Sequence, residues 1–481
     1  MERLNFSAMY YRMKKVVFLL LAISLLKVNH AQTISGRLAT AFALFEKDSQ
    51  LKSGIASLYV LDAGSGKVVF EKNGAIGLAP ASTQKIITSA AAYEILGKDF
   101  RYKTEFSYYD APGEDKVSAG IYIKPSGDPT LGSWRWRSTA EDSVLQRVTK
   151  AFKQNGFNTC NAFIVNATGW EGENIPGGWM WDDIGNYYGA GAEVMNWREN
   201  QYDLVMKSGK AVGDSVRIVN TIPALHNYKF ISNVTSAAKG TGDNSYIYFP
   251  ITSNTAVVRG TIPVNEERFT ISGAMPSARV QFLAMLADML SSSGNKKEWA
   301  HLTINKFSKD KPPQKITLFH TEASPPLDSI SYWFLKRSIN LYGEALTKTI
   351  AAKAGKTATT QNGVNTIRSY WRDRNIGIGE TELNMADGSG LSPLNRVTTH
   401  AQVSILRYAK AQSWFDSYFA GFPEYNGMKL KSGTINGVKS FCGYHNSRDG
   451  KSYIIAFIVN NYNGSSSALV QKMYTVLDVI K

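Results

Sequence analysis

The chain has few of the residues that build disulfide-stapled or metal-bound folds. Among its 481 residues are 2 cysteines and 6 histidines. So few cysteines exclude a disulfide-dense scaffold and any zinc or iron–sulfur module built on several cysteines. Charged residues make up only 19% and aromatic residues 12% of the chain, which excludes an intrinsically disordered protein. The length predicts a globular protein of roughly two to four domains.

Long apolar runs are also missing, apart from one near the N-terminus. Met13-Lys14-Lys15 precedes the apolar run Val16–Leu26, and polar residues and Ala31 follow it. A short basic segment, a short apolar run and a small residue are typical of a secretory signal peptide, whereas a membrane span needs about 20 apolar residues. We therefore expect residues 1–31 to be a signal peptide that leaves no integral membrane span after its removal. A membrane anchor is the alternative.

Acidic residues are outnumbered by basic ones, 39 against 54. Removal of residues 1–31 leaves a net charge of +11, from 49 basic and 38 acidic residues. An exported basic protein is suited to an anionic wall or membrane surface rather than to nucleic acid, although a solvated basic surface without a partner explains the charge equally well. Cys160 and Cys442 could pair outside the cytoplasm, but the sequence does not show that they lie close together.

The mature chain begins and ends with alternating helical and strand patterns. Before residue 99 we predict a helix at Gly36–Leu51, strands at Ile55–Asp62 and Lys67–Lys72, and a helix that opens at Ala79–Ser82 and ends at Gly97. Near the C-terminus we predict a strand pair, Gly437–Tyr444 and Ser452–Val459, and an amphipathic helix, Ser466–Lys481. That helix carries too few cations for attachment to a membrane, so we expect it to pack in the core.

The middle of the chain has a different pattern. From about residue 100 to residue 300, short strands alternate with Gly, Asn and Ser turns, and one helix, Ser277–Ser291, closes the stretch. We therefore predict an α/β (α+β) protein. Its main domain, residues 32–98 and 303–481, is interrupted by a strand-rich insertion, residues 99–302.

The first motif with chemical meaning is Ser82-Thr83-Gln84-Lys85, at the start of a predicted helix. The spacing places the serine and the lysine on one helix face, near the positive end of the helix dipole. A hydroxyl beside an amine suits covalent catalysis, provided that burial or nearby cations keep the amine neutral. An ordinary N-cap is the alternative for Ser82. After residue 31, the string Ser-x-x-Lys begins at Ser49, Ser82, Ser236, Ser293 and Ser308. Only at Ser82 does Pro80-Ala81 precede it and an apolar helix follow.

Two further motifs follow in order along the chain. Ser338-Ile339-Asn340 offers a hydroxyl that can pass a proton and an amide that can hold a carbonyl or a lysine. Lys431-Ser432-Gly433-Thr434 offers a fixed cation and hydroxyls for a carboxylate, and its glycine allows a substrate backbone to come close. No single string identifies a catalytic motif, because similar strings occur elsewhere in the chain. The order of the three strings along the chain is what indicates a shared active site.

Ser-x-x-Lys, Ser-x-Asn and Lys-[Ser/Thr]-Gly in this order form the motif set of the penicillin-recognising serine enzymes. The gap of 256 residues between Ser82 and Ser338 is too long for a compact β-lactamase of that superfamily. The chain resembles the D-alanyl-D-alanine carboxypeptidase/endopeptidase family of the penicillin-binding protein 4 type (peptidase family S13). Further strings that support the resemblance are Ser126–Leu131, Trp179–Tyr188, Asn340–Glu344, Asp387–Ser392 and Gly433–Tyr444.

The resemblance implies a penicillin-binding transpeptidase-like serine-enzyme domain interrupted by a strand-rich two-domain insertion. It also implies catalytic roles. Ser82 would attack the carbonyl of the penultimate D-alanine, and Lys85 would accept its proton. Ser338 would relay the proton to the departing amine, and Asn340 would orient Lys85 and the peptide carbonyl.

The same resemblance implies a substrate-binding strand. Lys431, with the hydroxyls of Ser432 and Thr434, would hold the terminal carboxylate beside the small Gly433. The backbone N–H groups of Ser82 and Thr434 would form the oxyanion hole. Ser432 stands where the family more often has threonine. The hydroxyl is kept, so its role survives.

The sequence leaves the roles of two acidic residues, Asp183 and Glu380, open. In this family an acidic residue of the insertion helps to recognise the amino group of a diaminopimelate side chain, and Asp183 is the residue that we nominate. A surface or N-cap aspartate is the alternative. Glu380 opens a Glu-x-x-Leu-Asn string that carries the deacylating base in class A β-lactamases. We expect it instead to be a solvated residue on the approach to Asp387–Ser392.

The leading hypothesis is an exported, periplasmic serine DD-peptidase that acts on peptidoglycan stem peptides and is inhibited by β-lactams. A β-lactamase or esterase on the same fold is one alternative. A non-catalytic wall-binding protein is another, but it would not need Ser82, Lys85, Ser338, Asn340 and Lys431 together. The histidines show no metal-ligand spacing and no nucleotide loop is present, so we expect no cofactor, no metal and no nucleic-acid partner. The sequence leaves the oligomeric state open.

Overall fold

The computed structural model describes residues 33–109, 118–157, 159–171, 173–225, 228–250, 253–290, 307–308 and 315–481. The predicted signal peptide, residues 1–31, lies outside the described residues. Within the described ranges, every helix is too short or too polar to cross a membrane. Cys160 and Cys442 are both free thiols.

Helices and strands alternate along the described chain. The α-helices are α1 (Ile34–Glu46), α2 (Lys85–Leu96), α3 (Glu141–Gln154), α4 (Trp181–Ile184), α5 (Ala278–Leu290), α6 (Leu327–Lys336), α7 (Asn340–Lys353), α8 (Thr360–Arg372), α9 (Thr399–Lys410), α10 (Phe415–Ala420) and α11 (Ser466–Leu477). The strands of the first half are β1 (Ile55–Asp62), β2 (Val68–Lys72), β3 (Lys103–Tyr109), β4 (Ser118–Lys124), β5 (Thr159–Asn166), β6 (Gln201–Lys207), β7 (Arg217–Ile222) and β8 (Lys229–Ala237). The remaining strands are β9 (Asn244–Tyr248), β10 (Thr255–Pro263), β11 (Phe269–Ala274), β12 (Phe307–Ser308), β13 (Ile316–Ala323), β14 (Leu383–Asn384), β15 (Arg396–Val397), β16 (Glu424–Tyr425), β17 (Met428–Ile435), β18 (Val438–Asn446) and β19 (Ser452–Asn460).

A six-stranded antiparallel sheet joins the two ends of the described chain. Its order is β16-β17-β18-β19-β1-β2, so the N-terminal strand β1 lies beside the C-terminal strand β19. Successive side chains of a strand point to opposite faces of the sheet. Ile455 and Phe457 of β19 therefore enter one core, and Ile454 and Ala456 enter the other. Strand β19 is buried on both faces and is the centre of this unit.

Helices α1 and α11 cover one face of this sheet. Their apolar side chains recur at helical spacing and share a core with the sheet. This core includes Leu38, Phe42, Leu469, Met473 and Leu477. The C-terminal amphipathic helix packs in the core, as its few cations predict.

Helices α2 and α6 to α10 cover the other face. Helix α2 lies deep in the unit, because its residues from Lys85 to Tyr93 are all buried. Helices α7 and α9 pack on it through side chains such as Leu346 and Ile405. Lys85, at the first position of this buried helix, has lost its contact with bulk water. The loss of hydration disfavours the charged form of its side chain.

The middle of the chain forms separate sheets around a core of its own. One five-stranded sheet has the order β12-β5-β4-β3-β13, and two three-stranded sheets have the orders β8-β10-β9 and β11-β6-β7. Helices α3 and α5 contribute Val148, Phe152, Phe282 and Leu286 to their common core. Because β13 pairs with β3 over Ile316–Ala323, we propose that the insertion ends near residue 323 rather than at 302.

The prediction of a single convincing helix in this region was wrong. Helix α5 is present at the predicted position, but α3 also forms over Glu141–Gln154. It buries Val144, Leu145, Val148 and Phe152 on one face. Its N-cap, Ala140, makes no side-chain hydrogen bond, so a start signal is missing from the sequence. Glu141 and Asp142 in the first turn interact favourably with the helix dipole instead.

Candidate active site

The serine and lysine of the first motif lie against each other where a short 3-10 turn, Ala81–Gln84, runs into α2. Lys85 Nζ is 2.9 Å from Ser82 Oγ. Ala81 has a φ of 47°, in the left-handed region that residues other than glycine rarely adopt. Such strain persists only where the surrounding structure fixes the backbone, and here it falls on the residue that precedes Ser82.

Lys85 is fully buried, and its amine is held by three uncharged oxygens. Besides Ser82 Oγ, Nζ donates to Asn340 Oδ1 at 2.6 Å and to Ser389 O at 2.7 Å. Burial lowers the pKa of Lys85 well below its usual value, and the charge of Lys431 adds to this shift. The carboxylates of Asp387 and Glu344 oppose it. An amine with a lowered pKa can accept the proton of the serine hydroxyl at neutral pH.

The second motif lies at the junction of α6 and α7. Ser338 has a φ of 57° and lines the same cavity as Ser82. Asn340 is the first residue of α7, and its amide has a partner at each end. Its Oδ1 accepts from Lys85 Nζ, and its Nδ2 donates to Tyr188 O of the insertion at 2.8 Å. The insertion therefore holds the Asn340 amide in the orientation that presents oxygen to Lys85.

Strand β17 brings the third motif against the Ser82 turn. A Cβ atom built on Gly433 would lie 2.8 Å from Ser82 N and 2.7 Å from Pro80 O, closer than real Cβ atoms approach. Ser440 Oγ on the neighbouring strand β18 donates to Pro80 O at 2.6 Å. Glycine at position 433 is therefore what permits the edge of the sheet and the Ser82 turn to meet.

The side chains of this strand differ in what they contact. Lys431 is only 2% exposed, and its Nζ donates to Ser432 O at 2.7 Å. Burial lowers the pKa of Lys431 to about 7. Ser432 Oγ donates to Tyr425 Oη at 3.1 Å. Thr434 lines the cavity, and its Oγ1 accepts from Lys439 Nζ at 2.7 Å. Lys439, which the sequence analysis did not identify, thus adds a cation beside this motif.

A cavity of about 1040 Å³ connects the three motifs. The candidate residues Ser82, Ser338, Asn340 and Thr434 line it directly, whereas Lys85, Lys431, Ser432 and Gly433 are not among its lining residues. Side chains of the insertion line the opposite wall. They include Arg135, Asp182, Asp183, Tyr187, Tyr188 and Tyr246.

Asp183 lies in α4 and lines this cavity, and its role in recognition stays a prediction. Burial and the neighbouring charge of Asp182 together raise the pKa of Asp183 to about 6, although a hydrogen bond from the Tyr188 hydroxyl opposes the rise. The same tyrosine contacts Asn340 through its backbone carbonyl. Tyr188 therefore links Asp183 to Asn340, the residue of the cavity wall that contacts Lys85.

Glu380, the first residue of the Glu-x-x-Leu-Asn string, lies away from this cavity. Glu380 is exposed and lines a separate pocket with Arg368 and Arg372, so it does not face the Ser82 cavity. Its position agrees with a solvated residue rather than with a deacylating base.

The contribution of the Ser389 carbonyl oxygen could not be predicted from the sequence. The string Asp387–Ser392 supports the family resemblance, but a backbone contact has no side-chain signature in a sequence.

These features place a buried lysine amine in contact with a serine hydroxyl at the edge of a large cavity. The chain belongs to the D-Ala-D-Ala carboxypeptidase 3 (S13) family, whose family model matches residues 38–425. The membership confirms the family and the enzyme class that the order of the motifs predicts.

Individual relatives agree with this assignment. A D-alanyl-D-alanine carboxypeptidase of Actinomadura sp. (strain R39) is 26% identical over 461 residues, which cover 89% of this chain and 82% of the relative. The crystal structure of penicillin-binding protein 4 (dacB) from Haemophilus influenzae superposes with a TM-score of 0.73 at 19% identity, over 91% of this chain and 98% of that chain. A structure of the same protein in complex with a novel β-lactam gives a TM-score of 0.69 at 19% identity, over 92% and 99%. The structural likeness confirms the predicted fold class.

Because β17 approaches Ser82 closely, we predict that a side chain larger than that of glycine at position 433 disturbs the site. In Gly433→Ala the new methyl group must displace the Ser82 turn, so acylation by a β-lactam should slow by about a hundredfold, the cost of a misplaced reacting group. Gly177→Ala is the matched control, because a Cβ there meets nothing within 4 Å. Stopped-flow acylation rates measure both. A rate in Gly433→Ala equal to that of the control would contradict the assigned contact.

The lowered pKa of Lys431 predicts a pH dependence of binding. Below about pH 7 the free protein carries the ammonium, and above it the amine is neutral. A carboxylate bound to Lys431, the role that the resemblance implies, would favour the ammonium, so affinity should fall by up to about tenfold per pH unit above the free pKa until the pKa of the occupied site is reached.

Calorimetry of a peptide ending in D-Ala-D-Ala with the non-reactive variant Ser82→Ala measures this dependence. Adding Lys431→Arg, whose charge does not titrate, should flatten the profile. If the double variant and Ser82→Ala alone lose affinity equally between about pH 7 and about pH 9, Lys431 is not the group that binds the carboxylate.

Proposed function

We propose that this protein is a serine DD-carboxypeptidase and DD-endopeptidase that hydrolyses D-alanyl-D-alanine and cross-link peptide bonds of peptidoglycan. The observation that carries the proposal is the contact of the buried Lys85 amine with Ser82 Oγ, at 2.9 Å. Membership of the D-Ala-D-Ala carboxypeptidase 3 (S13) family supports the same substrate class.

In the acylation step, Ser82 Oγ attacks the carbonyl carbon of the penultimate D-alanine while its proton passes to Lys85 Nζ. The oxygens of Asn340 and Ser389 hold that amine, so its lone pair can face the hydroxyl. The backbone N–H groups of Ser82 and Thr434 stabilise the developing oxyanion, an effect of about 3 kcal/mol for each donor.

Collapse of the tetrahedral intermediate breaks the peptide bond. Ser338 relays the proton from Lys85 to the departing amine of the terminal D-alanine, whose carboxylate is held by Lys431 and the hydroxyls of Ser432 and Thr434. A water molecule then attacks the acyl-enzyme carbonyl. Lys85 accepts the water proton, and the Ser82 hydroxyl is restored.

A β-lactam contains an amide and a carboxylate in a similar arrangement and so acylates Ser82 by the same route. Ring opening breaks the C–N bond without releasing a leaving group, so the ring remnant obstructs the hydrolytic water. The Haemophilus influenzae relative has been solved with a β-lactam, which supports this part of the proposal.

Recognition of the stem peptide would use the opposite wall of the cavity. Asp183, beside Asp182, offers a negative charge to an amino group of the third stem residue. The basic segment and apolar run of residues 1–31 would export the protein to the periplasm, where peptidoglycan is found.

The proposal is tested by intact-mass measurement after treatment with penicillin, followed by peptide mapping of the adduct. The wild-type protein should gain the mass of one penicillin molecule on Ser82, and it should release D-alanine from a stem pentapeptide. Both should be absent in Ser82→Ala and in Lys85→Met. Thr349→Val, which changes a buried hydroxyl bonded to Tyr102 Oη, is the control and should keep both. Release of D-alanine by Ser82→Ala at the wild-type rate would refute the proposal.

A further inference from the structure

The turn at residues 387–392 supports Lys85 through the carbonyl group of Ser389. Lys85 Nζ donates to Ser389 O at 2.7 Å. The position of that carbonyl depends on two buried carboxylates. Asp387 closes the turn on itself, since its Oδ1 accepts from Gly390 N at 2.8 Å and its Oδ2 from Ser392 N at 2.6 Å. The second carboxylate comes from outside the turn.

That second carboxylate is Glu344 of helix α7. Its side chain is fully buried, and its Oε1 accepts from Ser389 N at 2.9 Å while its Oε2 accepts from Gly388 N at 3.1 Å. Glu344 lies four residues after Asn340, so both side chains lie on the same face of α7. Asn340 contacts Lys85 directly, whereas Glu344 binds the N–H group of Ser389, the residue whose carbonyl group contacts Lys85.

We propose that Glu344 is a positioning residue of the acylation step. By binding the N–H groups of Gly388 and Ser389, it fixes the Ser389 carbonyl against Lys85 Nζ and so directs the amine towards Ser82 Oγ. This inference rests on the proposed function and extends it to a residue that touches neither substrate nor nucleophile.

Several charged groups surround Glu344. Lys85, Asp387 on the turn, and Lys348 on α7 face it, and Lys431 on β17 faces Lys85 in turn. Burial and the charge of Asp387 raise the pKa of Glu344. A carboxyl oxygen accepts an N–H bond in either protonation state, so the contacts with Gly388 and Ser389 do not require a charged side chain. Loss of these contacts loosens the Ser389 acceptor of Lys85, and a weaker acceptor disfavours the ammonium form of Lys85.

The test is the pH profile of β-lactam acylation in Glu344→Gln, recorded from about pH 5 to about pH 9 and normalised to the fraction of protein that can be acylated. The plateau rate should fall by about a hundredfold, because the amine is no longer directed at Ser82. The acid limb of the profile should move to lower pH, because the pKa of Lys85 falls further. A role in folding alone would change the active fraction and leave the profile in place.

Glu193→Gln is the matched control. Glu193 is also a buried carboxylate, and its Oε1 accepts a backbone N–H, from Ala278 at 3.0 Å, but in the insertion. It should lower stability without moving the acid limb. If Glu344→Gln does not fold, Glu344→Asp provides the same measurement, since the shorter side chain withdraws the carboxylate from Gly388 and Ser389.

Two results separate the possible failures. If the wild-type protein is acylated at Ser82 but Glu344→Gln keeps the wild-type plateau and acid limb, Glu344 has no positioning role and only this inference is refuted. If the wild-type protein is not acylated at Ser82 at all, the proposed function itself fails, and this inference fails with it.

Discussion

The chemistry of this protein depends on keeping one amine out of water. Lys85 begins a helix that is buried along most of its length, and its ammonium form would pay a large desolvation penalty there. Three uncharged oxygens from three separated parts of the chain satisfy the amine instead of a directly bonded carboxylate. Such an environment favours the neutral amine, which is the form that can take a proton from a serine.

This environment is assembled from segments that are distant in the sequence. Helix α2 supplies Lys85, and helix α7 supplies Asn340 and Glu344. The turn at 387–392 supplies a carbonyl, and the insertion contributes as well, through Tyr188 O on Asn340 and Trp179 Nε1 on Asp387 Oδ2 at 2.9 Å. The insertion is therefore part of the catalytic framework as well as a wall of the cavity.

Local patterns predicted much of this arrangement. Strand β1 matches the predicted bounds Ile55–Asp62, and Gly97 ends α2 with a φ of 86°, because apolar periodicity and a C-terminal glycine are signals within a few residues. The order of the three motifs predicted that Ser82, Asn340 and β17 meet. Helix α3 was missed because it lacks a capping side chain at its start.

Contacts made through the backbone could not be predicted in this way. Any residue can present a carbonyl group, so the sequence gives no sign that Ser389 O and Tyr188 O hold Lys85 and Asn340. The pairing of β13 with β3, which extends the insertion sheet past residue 302, is likewise a contact between segments some two hundred residues apart. The burial of Lys431 and its lowered pKa follow from the packing of β17 between neighbours, which composition and spacing do not reveal.

The most direct test of this account is the pKa of Lys85 itself. Protein labelled with ¹³C at the lysine ε-carbons can be titrated by NMR, with the Lys85 resonance assigned by its absence from Lys85→Met. The account predicts a resonance that is already that of a neutral amine near neutral pH, well before the other lysines titrate. A Lys85 resonance that titrates near the ordinary lysine value of about 10.4 would contradict it.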